Sequence, residues 1–258
     1  MAEECASTVN PNEIADPPRE PIEVVCDPPS KPADIPDGNP STTHSPWWEL
    51  FAVLAIGVIP NLMGAISTIY HPIPVAPYWL DSLQLVVLTG CSSFAVLYLM
   101  WRSELTWKQF GIVRPNGWDF VLGIALFVVS VALMRQLPAS LYDADRAFSD
   151  SFPIPQGPVE SLMSCIKYTF AGFSEELITR CYLIARLSLL LRSKATAILV
   201  AAILFSSYHV SQDLVGVIFT LLFGCLYGII FVFYRRIWPL VLGHALYNIR
   251  LDFLAGQI

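Results

Sequence analysis

The sequence predicts an all-α fold, a polytopic membrane helix bundle with about seven (six to eight) transmembrane helices. Of its 258 residues, 55% are hydrophobic and only 14% are charged, whereas charged residues make up about 25% of a soluble globular domain. The mean hydropathy is +0.56. The chain also contains repeated apolar runs close to the roughly 20 residues that a helix needs to cross a bilayer.

Seven apolar runs follow one another along the chain and predict the membrane spans. The predicted spans are Trp48–Ile66, Ser82–Trp101, Trp118–Leu137, Val159–Leu183, Thr196–His209, Leu214–Phe233 and Trp238–Leu254. The fifth run is short, which predicts a tilted helix or one that begins earlier, and the fourth run stays apolar as far as Leu191. Tryptophan favours membrane interfaces, and tryptophans lie at predicted span ends, namely Trp47, Trp48, Trp101, Trp118 and Trp238.

The N-terminal segment differs from the rest of the chain. Residues 1–46 are rich in proline and acidic side chains, as in PNEIADPPREPIEVVCDPPSKPADIPDGNP. Such a segment buries too little apolar surface to offset the entropy lost on ordering. Residues 1–46 are therefore predicted to be a disordered, acidic, Pro-rich tail, and residues 47–258 a transmembrane domain. The tail has no basic region followed by an apolar core, so it does not resemble a signal peptide.

The basic residues of the loops predict the orientation in the membrane. They are concentrated in or beside the loops after the second, fourth and sixth spans, as Arg102, Lys108, Arg114, Arg186, Arg192, Lys194, Arg235 and Arg236. By the positive-inside rule these loops face the cytoplasm, which puts the tail in the cytoplasm and the C-terminus outside. The expected location of this multi-pass protein is the plasma membrane in a prokaryote or the endoplasmic reticulum in a eukaryote.

Composition and motifs exclude several classes of function. The net charge is −6, and no basic cluster indicates a nucleic-acid partner. The chain has no G-x-x-x-x-G-K-[ST] motif, so nucleotide binding is not expected. H-E-x-x-H is also absent, which argues against the zincin and site-2-type proteases. The six cysteines form no C-x-x-C pair, and most are expected to be small buried hydrophobic residues.

Ionisable residues within the predicted spans indicate a functional site, because a charge is costly to place in the bilayer. The stretch GFSEELITR places Glu175, Glu176 and Arg180 in the fourth span. Glu176 and Arg180 are four residues apart, so they share a helix face and are predicted to pair. Glu175 is left without a partner in its own helix. Lys167, near the start of the same run, is predicted to snorkel to the interface.

Two later spans add polar groups that complement Glu175. His209 ends the fifth predicted span, and His244 and Asn248 lie four residues apart in the seventh. A desolvated carboxylate is a strong base for a water molecule, and an imidazole can orient that water. A second imidazole and an amide can donate hydrogen bonds to an oxyanion. Alternatively, Glu175, His209 and His244 could ligate Zn²⁺ and leave one position open. A network that only holds helices together and a proton relay or transporter are further alternatives.

Three motifs carry a resemblance to a known family. EELITR, FSSYH and HALYN reproduce E-E-x-x-x-R, F-x-x-x-H and H-x-x-x-N in that order. This set resembles the CAAX protease and bacteriocin-processing (CPBP, or Abi) family of intramembrane endopeptidases. The stretches IWPLVLGHALYNI and TWKQFGIVRP are also similar to segments of that family. One departure is Cys181, which follows the motif arginine where the family often has glycine.

The resemblance implies a CPBP-like protease domain over residues 47–258, with its core at about 159–254, and a role for each motif residue. Glu175 would be the catalytic base with His209 beside it, and His244 and Asn248 would stabilise the oxyanion. Glu176, Arg180 and Phe205 would shape the site.

The family also sets expectations for cofactor and substrate. Its members are described both as metalloproteases and as glutamate-dependent proteases without a firmly bound metal. Some process prenylated C-termini, others are linked to bacteriocin or leader-peptide processing or to immunity, and some are scaffolds. Membrane lipids and a protein or peptide substrate, prenylated in the first case, are the expected partners.

Overall fold

The computed structural model describes residues 46–70, 76–138 and 154–254. The predicted tail lies outside these residues apart from its last position. Within the described ranges every regular element is helical, and no strand occurs. The predicted all-α membrane bundle is therefore confirmed.

The helices are α1 (Pro46–Val53), α2 (Ile59–Tyr70), α3 (Tyr78–Arg102), α4 (Gly117–Arg135), α5 (Gly157–Glu176), α6 (Ala185–Leu190), α7 (Lys194–Ser207), α8 (Asp213–Tyr234) and α9 (Trp238–Leu254). A π-helical segment, Leu54–Val58, joins α1 to α2, and a second one, Leu177–Ile184, joins α5 to α6. A short 3₁₀ turn, Val210–Gln212, precedes α8. Counting each joined pair as one helix gives seven helices in these ranges, as the sequence predicts.

Two predicted span boundaries differ from the structure in ways that matter. The second helix begins at Tyr78 rather than Ser82. The fifth helix ends at Ser207, so the prediction that His209 belongs to this span is wrong. Instead, His209 lies in the turn between α7 and the 3₁₀ turn, with φ −103° and ψ 13°. A residue outside the helix is freer in orientation, because no helical repeat fixes its side chain.

Among the residues that the structure describes, four helical stretches are long and apolar enough to cross a membrane, namely Trp47–Tyr70, Tyr78–Arg102, Gly117–Arg135 and Val210–Tyr234. The other three predicted spans carry, or end beside, the candidate site residues. They are either short, like α7, or interrupted by ionisable side chains, like α5 and α9. Neighbouring helices shelter the polar groups, because every residue of the Leu177–Ile184 segment is buried.

Close packing of α5 against α9 brings the two candidate site segments together. A Cβ atom added to Gly172 on α5 would lie 3.3 Å from the backbone nitrogen of Ala245 on α9. Glycine therefore allows the two backbones to approach closely three residues before Glu175 and one residue after His244. Gly57 in the first π-helical segment likewise faces the second, because a Cβ there would lie 2.8 Å from Ile178 Cδ1.

Ion pairs fix the ends of several helices. Asn116 caps α4, and its partner in the capping box, Asp119, also accepts hydrogen bonds from Arg236 at 2.6 and 2.7 Å. This pair ties the start of α4 to the connection between α8 and α9. On α6, the guanidinium of Arg186 pairs with Glu49 of α1. Both pairs join elements that are distant in sequence.

Lys167 does not snorkel to the interface, and that prediction is wrong. Its side chain is only 3% exposed, and Nζ lies 3.2 Å from Asp81 Oδ2 and 3.7 Å from Asp252 Oδ2. Asp252 also accepts hydrogen bonds from three hydroxyl groups, those of Tyr78, Ser164 and Tyr168. A buried charge is retained only when it is paired and hydrogen-bonded, and α3 and α9 supply those partners to α5.

Candidate active site

His244 lies between the two adjacent glutamates. Its Nδ1 is 2.8 Å from Glu176 Oε1, and its Nε2 is 3.4 Å from Glu175 Oε2. A carboxylate oxygen only accepts, so Nδ1 donates to Glu176 and Nε2 is the nitrogen nearer to Glu175. The side chain of His244 is 5% exposed. The structure thus brings one predicted oxyanion donor directly onto both carboxylates, a contact that the sequence did not predict.

The two glutamates differ sharply in exposure. The side chain of Glu176 is fully buried, whereas that of Glu175 is 22% exposed. Glu175 Oε2 accepts no hydrogen bond from the part of the chain that is described, although His244 Nε2 is within ion-pair distance. We regard this contact as electrostatic, because it lacks hydrogen-bond geometry. Of the two glutamates, Glu175 is the one with exposed side-chain surface, although its Oε2 is itself buried.

Arg180 and Glu176 form the predicted i, i+4 pair. Arg180 Nε lies 3.1 Å from Glu176 Oε2, and both side chains are buried. Arg180 Nη1 also donates to Thr179 Oγ1, and that hydroxyl donates to the backbone oxygen of Glu175 at 2.5 Å. The pairing lowers the cost of burying Glu176. It also connects the arginine to the backbone at the exposed glutamate.

His209 is fixed through one ring nitrogen. Its Nδ1 is 2.8 Å from the backbone oxygen of Phe205. Because a carbonyl oxygen only accepts, Nδ1 carries the hydrogen of this bond, and Nε2 is an acceptor in the neutral ring. The ring is half-buried and stacks near Phe205 and Tyr208, with both centroid distances 4.8 Å. No hydrogen bond or ion pair joins His209 to Glu175 within the described part of the chain.

Aromatic rings surround the charged groups. The Phe205 ring lies 4.6 Å from the Arg180 guanidinium carbon and 6.0 Å from the His244 ring centroid. Phe223 of α8 lies 4.9 Å from His244, edge to face, and 5.9 Å from Arg180. Cation–π contacts stabilise a desolvated guanidinium. Sequence analysis identified Phe205 but missed Phe223, because nothing distinguishes one phenylalanine from others in an apolar run.

Asn248 is half-buried on α9, one helical turn after His244. The two residues share a face of α9, as their spacing predicts. The described structure therefore joins Glu175, Glu176, Arg180, Phe205 and His244 by direct contacts. His209 is linked to this group through Phe205, and Asn248 through its position on α9.

The residues predicted to hold zinc do not form a ligand set in the described ranges. No group of three or more His, Cys, Asp or Glu side chains among those residues is placed to hold a metal ion. Glu175 and His244 are close, but His209 does not join them.

The segment that carries the candidate site matches a family model. Residues 158–250 match the model described as "Type II CAAX prenyl endopeptidase Rce1-like". This segment, about a third of the chain, is therefore similar to that family. The Rce1-like segment contains all three motifs, so the resemblance seen in the sequence is confirmed. No curated protein and no solved structure matches the chain.

The matched model describes an activity at the level of the family. The matched family is one of CAAX-type prenyl endopeptidases, which act on proteins or peptides. The four long apolar helices, together with the family, identify an integral membrane protein. The Rce1-like segment runs from the start of α5 almost to the end of α9, so it includes the helices that carry the candidate site.

Proposed function

We propose that this protein is a glutamate-dependent endopeptidase that cleaves prenylated C-terminal peptides at the membrane. The observation that carries the proposal is the position of His244 between a buried, paired Glu176 and a partly exposed Glu175. Glu176 orients the imidazole in the way that a carboxylate orients the histidine of a catalytic triad. Glu175 is left as the group that can accept a proton.

In the proposed reaction, Glu175 takes a proton from a water molecule as the water oxygen attacks the scissile carbonyl carbon. The Nε2 lone pair of the neutral His209 ring accepts the other water hydrogen and orients the nucleophile. The resulting oxyanion receives hydrogen bonds from the Asn248 amide and, in the protonated ring, from His244 Nε2. When the C–N bond breaks, the proton on Glu175 passes to the departing nitrogen.

Arg180 and Phe205 support this chemistry without touching the reacting atoms. Arg180 compensates the charge of Glu176, so the second carboxylate does not compete for the proton that Glu175 must accept. Phe205 contacts the rings of both histidines and the guanidinium of Arg180. A site of this kind needs rigid packing, because small displacements of the reacting groups reduce the rate strongly.

The prenylated substrate is the finer part of the proposal and rests on the family. A prenyl chain would partition into the bilayer, with a gain in binding free energy of about 0.8 kcal/mol for each buried CH₂ group. This would raise the local concentration of the peptide near the site. The plasma membrane in a prokaryote, or the endoplasmic reticulum in a eukaryote, is the proposed location. Leader-peptide processing is the alternative within the same chemistry.

Hydrolysis of a farnesylated peptide ending in a CAAX sequence by the purified full chain tests the proposal. Glu175→Gln should lower the rate by about 10²–10⁴-fold, because it removes the general base, while the thermal unfolding midpoint stays unchanged. Glu104→Gln is the matched control, since Glu104 is exposed and lies on the connection after α3. Equal rates for Glu175→Gln and wild type would support a non-catalytic scaffold instead.

Two further experiments test whether the prenyl group contributes to binding and whether the reaction needs a metal. The same peptide without the farnesyl group should be cleaved more slowly if the lipid contributes to binding. Removal of zinc with a chelator, followed by metal analysis, should leave the rate unchanged. A stoichiometric metal that is lost together with activity, and that restores activity on return, would instead favour the zinc alternative with Glu175, His209 and His244 as ligands.

A further inference from the structure

A groove lies between α4 and α9, away from the residues of the candidate active site. It encloses about 370 Å³. The residues that line it combine an apolar wall with a polar end, and they are Phe127, Val128, Val131, Ala132, Arg135, Gln136 and Arg250. A volume of this size is typical of a small-molecule site.

The apolar wall of the groove belongs to a helix that faces its surroundings. Only 22% of the most apolar window of α4 is buried inside the protein. Val128 and Ala132 are exposed, and Phe127 and Val131 are half-buried. Since α4 is long and apolar enough to cross a membrane, we expect these side chains to face hydrocarbon. An acyl chain therefore fits this wall better than any water-soluble ligand.

The polar end of the groove carries two arginines. Arg135 is the last residue of α4, followed by Gln136, and Arg250 lies near the C-terminal end of α9, just before its last turn. Within ranges 46–70, 76–138 and 154–254, neither guanidinium makes an ion pair or hydrogen bond in the structure. Arg135 is exposed and Arg250 is half-buried, whereas the more buried arginines Arg180, Arg186 and Arg236 do have such partners. Two guanidinium groups at the end of an apolar groove are suited to one phosphate group.

We propose that this groove binds an anionic phospholipid. The phosphate group accepts hydrogen bonds from Arg135 and Arg250, and an acyl chain lies along Phe127, Val128 and Val131. Charge complementarity selects the head group, because two arginines attract a net negative lipid and gain less from a zwitterionic one whose ammonium group opposes them. The site uses no residue assigned to catalysis, so lipid binding does not depend on the proposed function.

Lipid binding to the purified full chain in neutral detergent micelles tests this site. Phosphatidylglycerol and phosphatidylcholine with identical acyl chains are titrated, and bound lipid is counted by native mass spectrometry. Phosphatidylglycerol should bind more tightly than phosphatidylcholine. The double variant R135Q/R250Q should bind phosphatidylglycerol at least about tenfold more weakly, because it removes two charge-assisted contacts.

The matched control is R102Q/R114Q, which changes the net charge equally at two exposed arginines outside the groove. This control should keep the affinity and the head-group preference of the wild type. Inorganic phosphate should not displace the lipid, because the apolar wall contributes to binding. Equal affinity for the two lipids, or equal losses in the groove variant and the control, would overturn the proposal.

Discussion

His244 Nδ1 and Glu176 Oε1 lie 2.8 Å apart although the two residues are 68 positions apart in the sequence. One is on α9 and the other is the last residue of α5. This bond fixes the rotation of the imidazole and leaves Nε2 as the nitrogen nearer to Glu175. The adjacent glutamates therefore have different surroundings, since the buried Glu176 orients the ring and Glu175 is partly exposed.

The first prediction concerns the buried pair of Glu176 and Arg180. Glu176→Gln leaves the guanidinium of Arg180 buried without its counter-charge, so we expect destabilisation of about 3–5 kcal/mol. Arg180→Met should have a cost of similar size. The measurement is the free energy of unfolding of each variant in mixed micelles. A double-mutant cycle then isolates the interaction of the two side chains.

Combining Glu176→Gln with Arg180→Met should cost less than the two single changes added together, because no uncompensated charge remains. Strict additivity would show that the two residues do not stabilise each other. Activity should still be lost in the double variant, since His244 has then lost the carboxylate that orients it.

The second prediction concerns the close approach of α5 and α9 at Gly172. A methyl group there would press on the backbone nitrogen of Ala245 at 3.3 Å and the backbone oxygen of Val241 at 3.5 Å. Gly172→Ala should therefore destabilise the protein by about 1–3 kcal/mol and lower its activity by displacing Glu175 from His244. Thermal unfolding and peptide hydrolysis measure the two effects.

Gly90→Ala is the control for this substitution, because a Cβ at that position of α3 would meet nothing within 4 Å. Alanine should be neutral there, or stabilising by up to about 1 kcal/mol, as in other helix interiors. If both substitutions behaved alike, close packing at Gly172 would not be what holds the two helices in register.

The third prediction concerns Lys167. Lys167→Met leaves the buried Asp252 and the partly buried Asp81 without their shared cation. We expect a loss of about 3–5 kcal/mol, because one partner of a buried ion pair has been removed. The readout is the unfolding midpoint in detergent. Lys108→Met, at an exposed position, should change it little, and an equally small effect at Lys167 would count against the buried network.

The fourth prediction concerns Phe223, which no motif identifies. Its ring contacts the imidazole of His244 edge to face at 4.9 Å. Phe223→Leu keeps an apolar side chain but removes this contact, which is worth about 0.5–1.5 kcal/mol. We expect a lower kcat with little change in KM, since the ring positions a catalytic group and does not bind the peptide. Phe94→Leu, at an exposed position, should leave both constants unchanged.

Much of the fold follows from local features of the sequence. Apolar runs of the right length place the helices, because each must satisfy its own backbone groups in the bilayer. The spacing of Glu176 and Arg180 predicts their pairing, since residues four apart share a face of the helix. The span predicted at Trp238–Leu254 coincides with α9.

Contacts between helices were harder to predict. The burial of Lys167 depends on Asp81 and Asp252, which lie on other helices, and nothing near Lys167 in the sequence indicates them. The contact of His244 with both glutamates depends on how α5 and α9 are rotated about their axes. Helical periodicity gives the face on which a residue lies, but it does not state which neighbour that face meets.

The π-helical segment Leu177–Ile184 lets one continuous helix contact α9 before the segment and α1 after it. Its i→i+5 hydrogen bonds take in more residues per turn than an α-helix does, so the winding changes just after Glu176. The side chains of α6 are therefore rotated about the helix axis relative to those of α5. Arg186 can face Glu49 of α1 while Glu176 faces α9. Deleting one residue from the segment would turn α6 by about 100° and misdirect Arg186, yet leave the glutamates upstream in place.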